Sequence, residues 1–457
     1  MTRAGTGRVA SSVSENPTLT VLGAGLAGPL MAAYLGQAGY RVRLYEMRPD
    51  PREAGAVGGR SINLALSRRG IHALEEVGIL DQIRDLSIPM KGRMMHPVSG
   101  SLSFQPYGTE KDQYLNSVSR ARLNRILLES AAACPGVTIE FEQKCLDMDV
   151  ETGRMTLEHT GTGETRELDT EIVIGADGAF SRVRAALERC DRFDYRQDYL
   201  EHGYKELTMP PASGGGFALE PNALHIWPRR TYMMIALPNQ DATFTCTLFW
   251  PFDGANSFAS IRSEKEILGF FQTTFPDAVP LIPDLVEQFQ DNPVGSLVTV
   301  RCRPWQAAGR AVLIGDAAHA VVPFYGQGIN AGFEDCTVLM ECIREFEPGW
   351  DAAFCAYEER RKVNTDALAD LALANFVEMR DHVGSSSFLV RKNVERTLHR
   401  LFPRWYVPLY TMVTFTRIPY AEARKRARRL DRIVMGTGLA VLLALVVALL
   451  LLLNVLG

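Results

Sequence analysis

The sequence predicts an α/β fold in which a parallel sheet carries an inserted β-sheet and is followed by helices. Three observations support this class. A short apolar segment at 18–22 runs through glycines into a helical pattern. Residues 203–300 are enriched in β-branched and aromatic residues, notably at Thr231–Leu237 and Thr243–Phe249. From Trp350 onward the hydrophobic period is helical.

The composition is that of a folded protein and excludes several classes of function. Of 457 residues, 46% are hydrophobic and 22% charged, and the net charge is −4. No overall basic field is available to hold nucleic acid. The 8 cysteines form no C-x-x-C pair, and no H-E-x-x-H, G-x-x-x-x-G-K-[ST] or G-x-S-x-G motif occurs. We therefore expect no disulfide framework, no metal site, no P-loop hydrolase and no nucleophile-elbow hydrolase.

The first predicted elements form a β-α-β unit. Residues 1–17 are small, polar and unpatterned, which indicates a disordered leader. A strand at Thr18–Leu22 is followed by a helix at Pro29–Gln37, which Gly39 ends. A second strand follows at Arg41–Glu46.

The glycines between the first strand and the helix predict a binding site for a dinucleotide. Gly23 permits the tight turn, Gly25 lets a diphosphate approach the backbone, and Gly28 lets the helix pack on the strand. The diphosphate would lie at the positive end of the helix. Glu46 ends the second strand, where its carboxylate can accept a hydrogen bond from a ribose hydroxyl. This motif does not separate FAD from NAD.

Two further strand-to-helix corners distinguish the cofactors. Buried-strand candidates at Ile172–Gly175 and Ala311–Gly315 run into Asp177 and Asp316. Asp316 could accept hydrogen bonds from a ribityl chain, whereas we interpret the nearby His319 as a packing residue rather than a base.

A third glycine motif at 326–332 opens another helical pattern. A helix N-terminus carries about +0.5 charge and would stabilise an anionic reduced flavin. Together with the glycine loop and Asp316, this combination resembles the class A flavoprotein monooxygenases, the group similar to p-hydroxybenzoate hydroxylase. The resemblance implies a Rossmann-like FAD-binding domain.

Four segments narrow the resemblance to the kynurenine 3-monooxygenase family. They are residues 58–67, 117–120, 322–328 and 408–415, and the similarity extends over about residues 18–420. One departure is Tyr325, where phenylalanine or histidine is the expected residue.

The resemblance implies a chemistry that belongs mostly to the cofactor. In that family non-covalent FAD is reduced by NADPH and reacts with O₂, and a flavin hydroperoxide transfers oxygen to the ring of L-kynurenine, giving 3-hydroxykynurenine. No catalytic side chain is therefore predicted. The protein must bind the flavin, orient the ring and exclude water. The sequence leaves open the nicotinamide site, the preference between NADPH and NADH, and the oligomeric state.

The resemblance also implies two sets of contacts. Arg93 would bind the substrate carboxylate with help from the Tyr107 and Tyr410 hydroxyls, Phe249 and Phe324 would sandwich the ring, and one helix face would meet the amino group or carbonyl. The substrate set is Arg93, Tyr107, Phe249, Phe324, Asn375, Glu378 and Tyr410. The cofactor set is Gly23, Gly25, Gly28, Glu46, Ala65, Arg120, Asp316, Gly328, Ile329 and Asn330.

The predicted domains follow from these patterns. The FAD-binding domain comprises residues 18–200 and 301–345, with a substrate-contacting segment at about 86–118, and the β-sheet substrate domain comprises 201–300. A helical region at 346–432 and a transmembrane anchor at 433–457 complete the chain.

The anchor is predicted because residues 433–457 contain no charged side chain, and a bilayer core needs about 20 apolar residues in a helix. The preceding segment 417–432 is rich in arginine and lysine, and positive flanks stay cytoplasmic. We expect a single-pass membrane protein with a cytoplasmic catalytic body. A hydrophobic oligomerisation helix is the alternative.

Two other functions are compatible with part of this pattern. A flavin hydroxylase acting on a phenolic acid would share the flavin motifs but not segments 58–67 and 408–415. A non-redox binding protein with a dinucleotide fold, as in Rab GDP-dissociation inhibitors, is less compatible with Glu46, Asp177 and Asp316 all being present.

Overall fold

The computed structural model describes residues 17–53, 63–108, 110, 112–378, 394–395, 397–434 and 436. The expectations for the leader and for nearly all of the anchor at 433–457 lie outside the described residues, as does the first half of segment 58–67, residues 58–62. Within the described residues, no helix combines the length and apolar character that crossing a membrane requires.

The strands of the described residues are, in chain order, β1 Thr18–Leu22, β2 Arg41–Tyr45, β3 Asn63–Leu66, β4 Ser87–Met90, β5 Gly92–Met95, β6 Ser103–Pro106, β7 Leu115–Ser119, β8 Val137–Glu140, β9 Gln143–Met148, β10 Arg154–His159, β11 Thr165–Asp169, β12 Ile172–Gly175, β13 Asp194–Met209, β14 Ala223–Pro228, β15 Met233–Pro238, β16 Phe244–Pro251, β17 Gly295–Arg303, β18 Gln306–Ala307 and β19 Ala311–Leu313.

The helices are α1 Ala27–Gln37, α2 Arg68–Glu76, α3 Leu80–Asp85, α4 Arg120–Ala132, α5 Arg182–Leu187, α6 Glu264–Thr274, α7 Leu285–Asp291, α8 Asp316–His319, α9 Gly328–Phe346, α10 Trp350–Val377 and α11 Leu409–Phe415. Residues 420–434 are also helical.

The first sheet has the order β18-β19-β12-β1-β2-β8, and it is parallel from β19 to β8. The predicted β-α-β unit is confirmed, with the helix starting at Ala27. Leu19, Val21 and the residues of β12 are fully or almost fully buried, as expected for strands covered by helices on both faces. The carboxyl ends of β1, β12 and β19 meet at one edge, where their glycine and aspartate corners lie together.

The second sheet is mixed, with the order β17-β13-β16-β15-β14-β5-β6. Strands β5 and β6 come from the predicted substrate-contacting segment, and β5 pairs in parallel with β14. This arrangement carries Arg93 into the sheet opposite Leu224.

The expectation that residues 203–300 consist of strands is wrong in one part. Helices α6 and α7 lie between β16 and β17 and cover one face of the second sheet. Ser263 and Glu266 form a capping box at the start of α6, because each side chain accepts a backbone N–H of the other residue. This Ser-x-x-Glu signal was present in the sequence and predicts a helix start.

The other face of the second sheet packs on the C-terminal helices. Phe249 and Met233 join Leu368, Met412 and Val413 in one buried cluster. In the part of this region that the structure describes, the predicted helical pattern after Trp350 is confirmed by the 28-residue α10 and by α11. The fold is therefore an α/β fold with mixed sheets and C-terminal helices, and its two large sheets meet at the site described next.

Candidate active site

One continuous cavity of about 870 Å³ extends from the glycine loop after β1 to the second sheet. Thirteen residues from the two predicted contact sets line it: Gly23, Gly25, Glu46, Ala65, Arg93, Tyr107, Arg120, Phe249, Asp316, Phe324, Gly328, Ile329 and Tyr410. The cavity therefore brings the predicted cofactor residues and most of the predicted substrate residues into one space.

Glycine occupies each of the three loop positions for a different structural reason. Gly23 has a φ of +96°, a conformation that favours glycine. A Cβ on Gly28 would lie 1.8 Å from the Gly23 carbonyl oxygen, so only glycine permits this close packing of helix on strand. A Cβ on Gly25 would meet no atom within 4 Å, because this backbone faces the open cavity. The loop thus has the open cradle that a diphosphate needs.

Glu46 is buried at the end of β2 and is held in place from two sides. Its carboxylate accepts the Ala24 N–H at 2.7 Å and the Arg48 Nε–H at 2.7 Å. Burial raises the pKa of Glu46, but the hydrogen bonds and charge of Arg48 lower it by more, so the group stays ionised. An ionised acceptor at this position fits a ribose hydroxyl.

Asp177 begins the corner after β12 and caps α5. One carboxylate oxygen accepts the Arg182 N–H at 2.6 Å, while the other oxygen is buried and has no hydrogen-bond partner among the described residues. Burial raises the pKa of Asp177. Since Asp177 lines the cavity, its unpartnered oxygen can accept a hydrogen bond from a ligand there.

Asp316 is exposed toward the cavity at the start of α8, whereas His319 is buried behind it. The His319 Nε2 lies 2.5 Å from an Asp335 carboxylate oxygen, and Arg361 Nε donates to the other oxygen at 2.6 Å. The interpretation of His319 as a packing residue is confirmed. Buried ion pairs join Glu334 to Arg361 and to Arg69 as well. This network connects α2, α8, α9 and α10 behind the cavity.

The N-terminus of α9 faces the cavity through Gly328 and Ile329. Asn330 does not line the cavity, because its side chain is fully buried in the loop. Its Nδ2 donates to the carbonyls of Ala65 and Gly326, both at 2.9 Å, and its Oδ1 accepts the Ser67 N–H at 2.8 Å. Asn330 therefore fixes the edge of β3 against the start of α9.

Arg93 is the cation at the far end of the cavity. Its guanidinium lies 4.9 Å from the ring centroid of Tyr410 and 5.7 Å from that of Tyr107, and these two rings stack at 5.5 Å. The Arg93 Nε and the Tyr107 hydroxyl are buried without a hydrogen-bond partner among the described residues. Burial lowers the pKa of Arg93, but Tyr410, Tyr107 and Glu378 raise it by more. The site therefore holds a permanent cation whose Nε–H is available as a donor.

Tyr107 is placed beside Arg93 by the backbone. The Tyr107 N–H donates to the Lys91 carbonyl at 3.1 Å, which ties the end of β6 to the start of β5. A Cβ at Gly92 would lie 2.4 Å from the Gln105 carbonyl oxygen, so the two strands approach too closely for any other residue. Tyr410 arrives from the other side on α11.

Phe249 and Phe324 contact one another, with centroids 4.9 Å apart and planes at 58°. The expected sandwich of a substrate ring between them is wrong for this geometry, because two rings this close leave no room for a third. They form one continuous apolar wall instead. Asn375 lies behind that wall and donates to the Phe324 carbonyl at 2.6 Å, so it positions Phe324 rather than lining the cavity.

Glu378 is half-buried at the C-terminal end of α10. It does not line the cavity, but its negative charge acts on Arg93.

Tyr325, the residue that departs from the family pattern, does line the cavity. Its ring stacks on Tyr410 at 5.7 Å, and burial raises the pKa of its hydroxyl.

Two residues that hold the cofactor end of the site in place were not predicted from the sequence. Asn124 on α4 donates from Nδ2 to the carbonyls of Ala24 and Gly25 and so holds the glycine loop. Its signal was its position one helical turn after Arg120. Arg48 orients Glu46, and a basic residue two positions after a strand-ending acid carries no distinctive signal.

Comparison with known proteins gives consistent results. The family model described as FAD binding domain matches residues 15–372. The chain is 48% identical over 423 residues to a kynurenine 3-monooxygenase of Myxococcus xanthus, covering 93% of this chain and 91% of that protein. It is 45% identical over 419 residues to a kynurenine 3-monooxygenase of Sus scrofa, covering 91% and 88%. Among solved structures, 2-methyl-3-hydroxypyridine-5-carboxylic acid oxygenase superposes with a TM-score of 0.66 at 23% identity, covering 82% of this chain and 96% of that one.

Proposed function

Because the chain belongs to the kynurenine 3-monooxygenase family of FAD-binding monooxygenases, we propose that it hydroxylates L-kynurenine to 3-hydroxykynurenine. NADPH supplies two electrons, one oxygen atom of O₂ enters the ring, and the other leaves as water. FAD, the cofactor of this enzyme family, supplies the oxygen-activating chemistry when bound. The observation that carries the proposal is the single cavity that joins the glycine loop to Arg93.

The cavity residues fit FAD. The open backbone at Gly25 would accommodate the diphosphate, and the ionised Glu46 would accept a hydrogen bond from the adenosine ribose. Arg120 and Asp316 face the same space, where a cation and an acceptor can meet the phosphates and the ribityl hydroxyls. Ala65, Gly328 and Ile329 form the wall for the ring system, and Asn330 holds this wall rigid from behind.

The substrate carboxylate would bind Arg93. A buried carboxylate without a partner would be costly, and Arg93 offers a buried donor that nothing else in the described residues uses. The guanidinium can form a two-point contact with a carboxylate, and the unpartnered Tyr107 hydroxyl can add a third hydrogen bond. This arrangement fixes one end of the substrate.

The aromatic end of the substrate would then lie on the wall formed by Phe249 and Phe324. These residues and Leu237 exclude water from the side of the second sheet. Exclusion of water protects a reactive oxygen donor from being lost to solvent. In this proposal the chain binds, orients and shields the substrate, and the reaction requires no side chain to act as a nucleophile.

We also propose that residues 433–457 anchor the protein in a membrane with the catalytic body on the cytoplasmic side. The support is the uncharged length of that segment and the arginine-rich helix at 420–434 that precedes it.

The proposed reaction is tested by supplying purified protein with NADPH, O₂ and either L-kynurenine or p-hydroxybenzoate. We expect NADPH consumption coupled to 3-hydroxykynurenine with the first substrate only. A hydroxylated product from p-hydroxybenzoate alone would identify a phenolic acid hydroxylase, and a colourless protein without NADPH consumption would indicate a non-redox binding protein.

A further inference from the structure

Residues 400–405, which we call the Trp405 turn, present large apolar side chains to solvent. Leu401, Phe402 and Trp405 are 63%, 56% and 86% exposed. Trp405 has the largest exposed fraction among the exposed large hydrophobic residues of the described chain. Three such side chains within five residues form a patch rather than isolated surface residues, and such patches mark interaction sites.

Hydrogen bonds close the backbone of the turn that carries this patch. His399 and Tyr406 on either side of it are buried, and the His399 Nδ1–H donates to the Tyr406 carbonyl at 2.6 Å. The Trp405 and Tyr406 N–H groups both donate to the Phe402 carbonyl, at 3.0 and 2.9 Å. The backbone of the turn is therefore closed by hydrogen bonds, while its apolar side chains remain exposed to solvent.

The charge around the patch is positive, which favours a negatively charged partner. Arg400 and Arg404 are exposed within the turn itself. Val407 and Leu409, just after the turn, pack into the same cluster as Ala423 and Ala427 of the helix at 420–434. The turn and this arginine-rich helix are thus attached to one common core.

Tryptophan and phenylalanine beside arginine suit the headgroup region of a bilayer. The amphipathic ring of tryptophan settles at that depth, phenylalanine and leucine insert at the boundary with the acyl chains, and arginine binds lipid phosphates there. In the sequence, the uncharged segment 433–457 follows the same basic helix that shares a core with the turn, which favours a membrane as the partner of the turn.

We propose that the Trp405 turn is a second membrane contact, which inserts its apolar side chains at the interface of a bilayer that contains anionic lipids. The proposal does not require the enzyme to act on L-kynurenine. It predicts that Trp405 leaves water when the protein is on a membrane, whether residues 433–457 span the bilayer or lie along it.

The chain offers an intrinsic probe for this contact. Of its 5 tryptophans, Trp227, Trp250 and Trp305 are 0% exposed and Trp350 is 9% exposed, so only Trp405 can meet lipid without unfolding. The full-length holoenzyme would be reconstituted into vesicles of phosphatidylcholine with or without phosphatidylglycerol. Lipids brominated near the headgroup or near the bilayer centre would then quench the tryptophan emission according to depth.

We expect quenching mainly by lipids brominated near the headgroup, together with a blue shift of the emission. Trp405→Phe should lose most of the quenching, whereas Trp350→Phe should retain it. Replacing Arg400 and Arg404 by glutamine should reduce quenching in anionic vesicles. The same change at Arg192 and Arg230, which are also exposed, should not.

The result that would overturn the proposal is a Trp405 that stays in water on the membrane. It would show as unchanged emission, equal quenching of the parent protein and Trp405→Phe, and quenching of Trp405 by aqueous iodide in vesicles as strong as in detergent. That pattern would assign the patch to a protein partner or to a second copy of the chain.

Discussion

Among single residues, Arg93 is the one on which the proposed binding of the substrate carboxylate depends most. It is the cation that lines the substrate end of the cavity with an unused buried donor. Arg93→Ala should weaken L-kynurenine binding by about 2–5 kcal/mol, the range for breaking a buried charge pair. At about 1.4 kcal/mol per decade, Kd should rise roughly 30-fold or more, as measured by titrating the flavin absorbance.

Two controls accompany that measurement. Arg93→Lys should recover little affinity, because an ammonium group cannot reproduce the two-point contact. Arg154→Ala, on an exposed part of β10, should change neither affinity nor FAD content. A loss of less than about threefold in Arg93→Ala would place the carboxylate elsewhere. Loss of FAD would instead show that Arg93 has a structural role.

A second residue-scale prediction concerns pH. His225 is buried on β14, with its Nε2 2.9 Å from the Glu220 carbonyl and its Nδ1 2.8 Å from His96. The pKa of His225 is lowered to about 4, mainly by burial and also by the charge of His96, while the hydrogen bond to the Glu220 carbonyl and the charges of Glu220 and Asp277 oppose this shift. An unfolded histidine has a pKa of about 6.5.

Between these two values the unfolded chain binds a proton that the folded chain does not bind. The free energy of unfolding should therefore fall as the pH drops below about 6.5, by about 2 kcal/mol at pH 5 for this group. Denaturant titrations at saturating FAD would measure the dependence. His225→Gln should flatten it, and an equal slope in the variant would contradict the assignment.

The residue scale also shows what the sequence can and cannot reveal. Residues that act through their own backbone, such as Gly23 and Gly28, follow from a short motif. Asn330 and Asn375 were expected to contact ligands, but the structure places both behind the wall, where they fix Ala65 and Phe324. Sequence spacing identifies the helix face, whereas the depth of a side chain depends on packing with distant segments.

At the level of secondary-structure elements, two substitutions in the glycine loop should separate an effect on FAD binding from an effect on stability. Gly25→Ala places a methyl group in open cavity space, so the fold should persist while FAD binding weakens by at least about tenfold. Gly28→Ala drives a methyl group against the Gly23 carbonyl and should lower the melting temperature even without FAD. Flavin content and thermal unfolding of the two variants would be compared.

Gly269→Ala is the matched control for both substitutions. Gly269 is exposed on α6, and a Cβ there meets no atom within 4 Å. This variant should keep FAD and gain up to about 1 kcal/mol from helix propensity. Normal FAD affinity in Gly25→Ala would refute the role of the loop as the diphosphate cradle.

Strands and helices could be predicted from the sequence where their local hydrophobic pattern matches their burial in the folded protein. The strands β1, β2 and β12 are short and, apart from Thr20, apolar at their buried positions, and α10 has a long helical pattern. The helices α6 and α7 were missed because the aromatic residues of 258–289 have strand-like composition. Those aromatic side chains instead cover the outer face of the second sheet. The parallel pairing of β5 with β14 joins segments more than 100 residues apart, and local sequence gives no signal for it.

At the scale of the whole molecule, the proposed anchor predicts where the protein is found. Deleting residues 433–457 should move it from the membrane fraction to the soluble fraction at high salt, with FAD retained. At low salt the Trp405 turn should leave a residual association with anionic vesicles, because its arginines are screened only as salt rises. A full-length protein that is already soluble without detergent would contradict the anchor.

We propose that this molecule uses FAD to place one oxygen atom of O₂ on L-kynurenine held by Arg93. The most direct measurement is mass spectrometry of the product formed by purified protein from L-kynurenine, NADPH and ¹⁸O₂, with Arg93→Ala assayed beside it. The account predicts 3-hydroxykynurenine carrying one ¹⁸O atom, and a loss of that product in the variant at low substrate concentration. NADPH oxidation that yields only hydrogen peroxide, or a product whose oxygen comes from water, would contradict it.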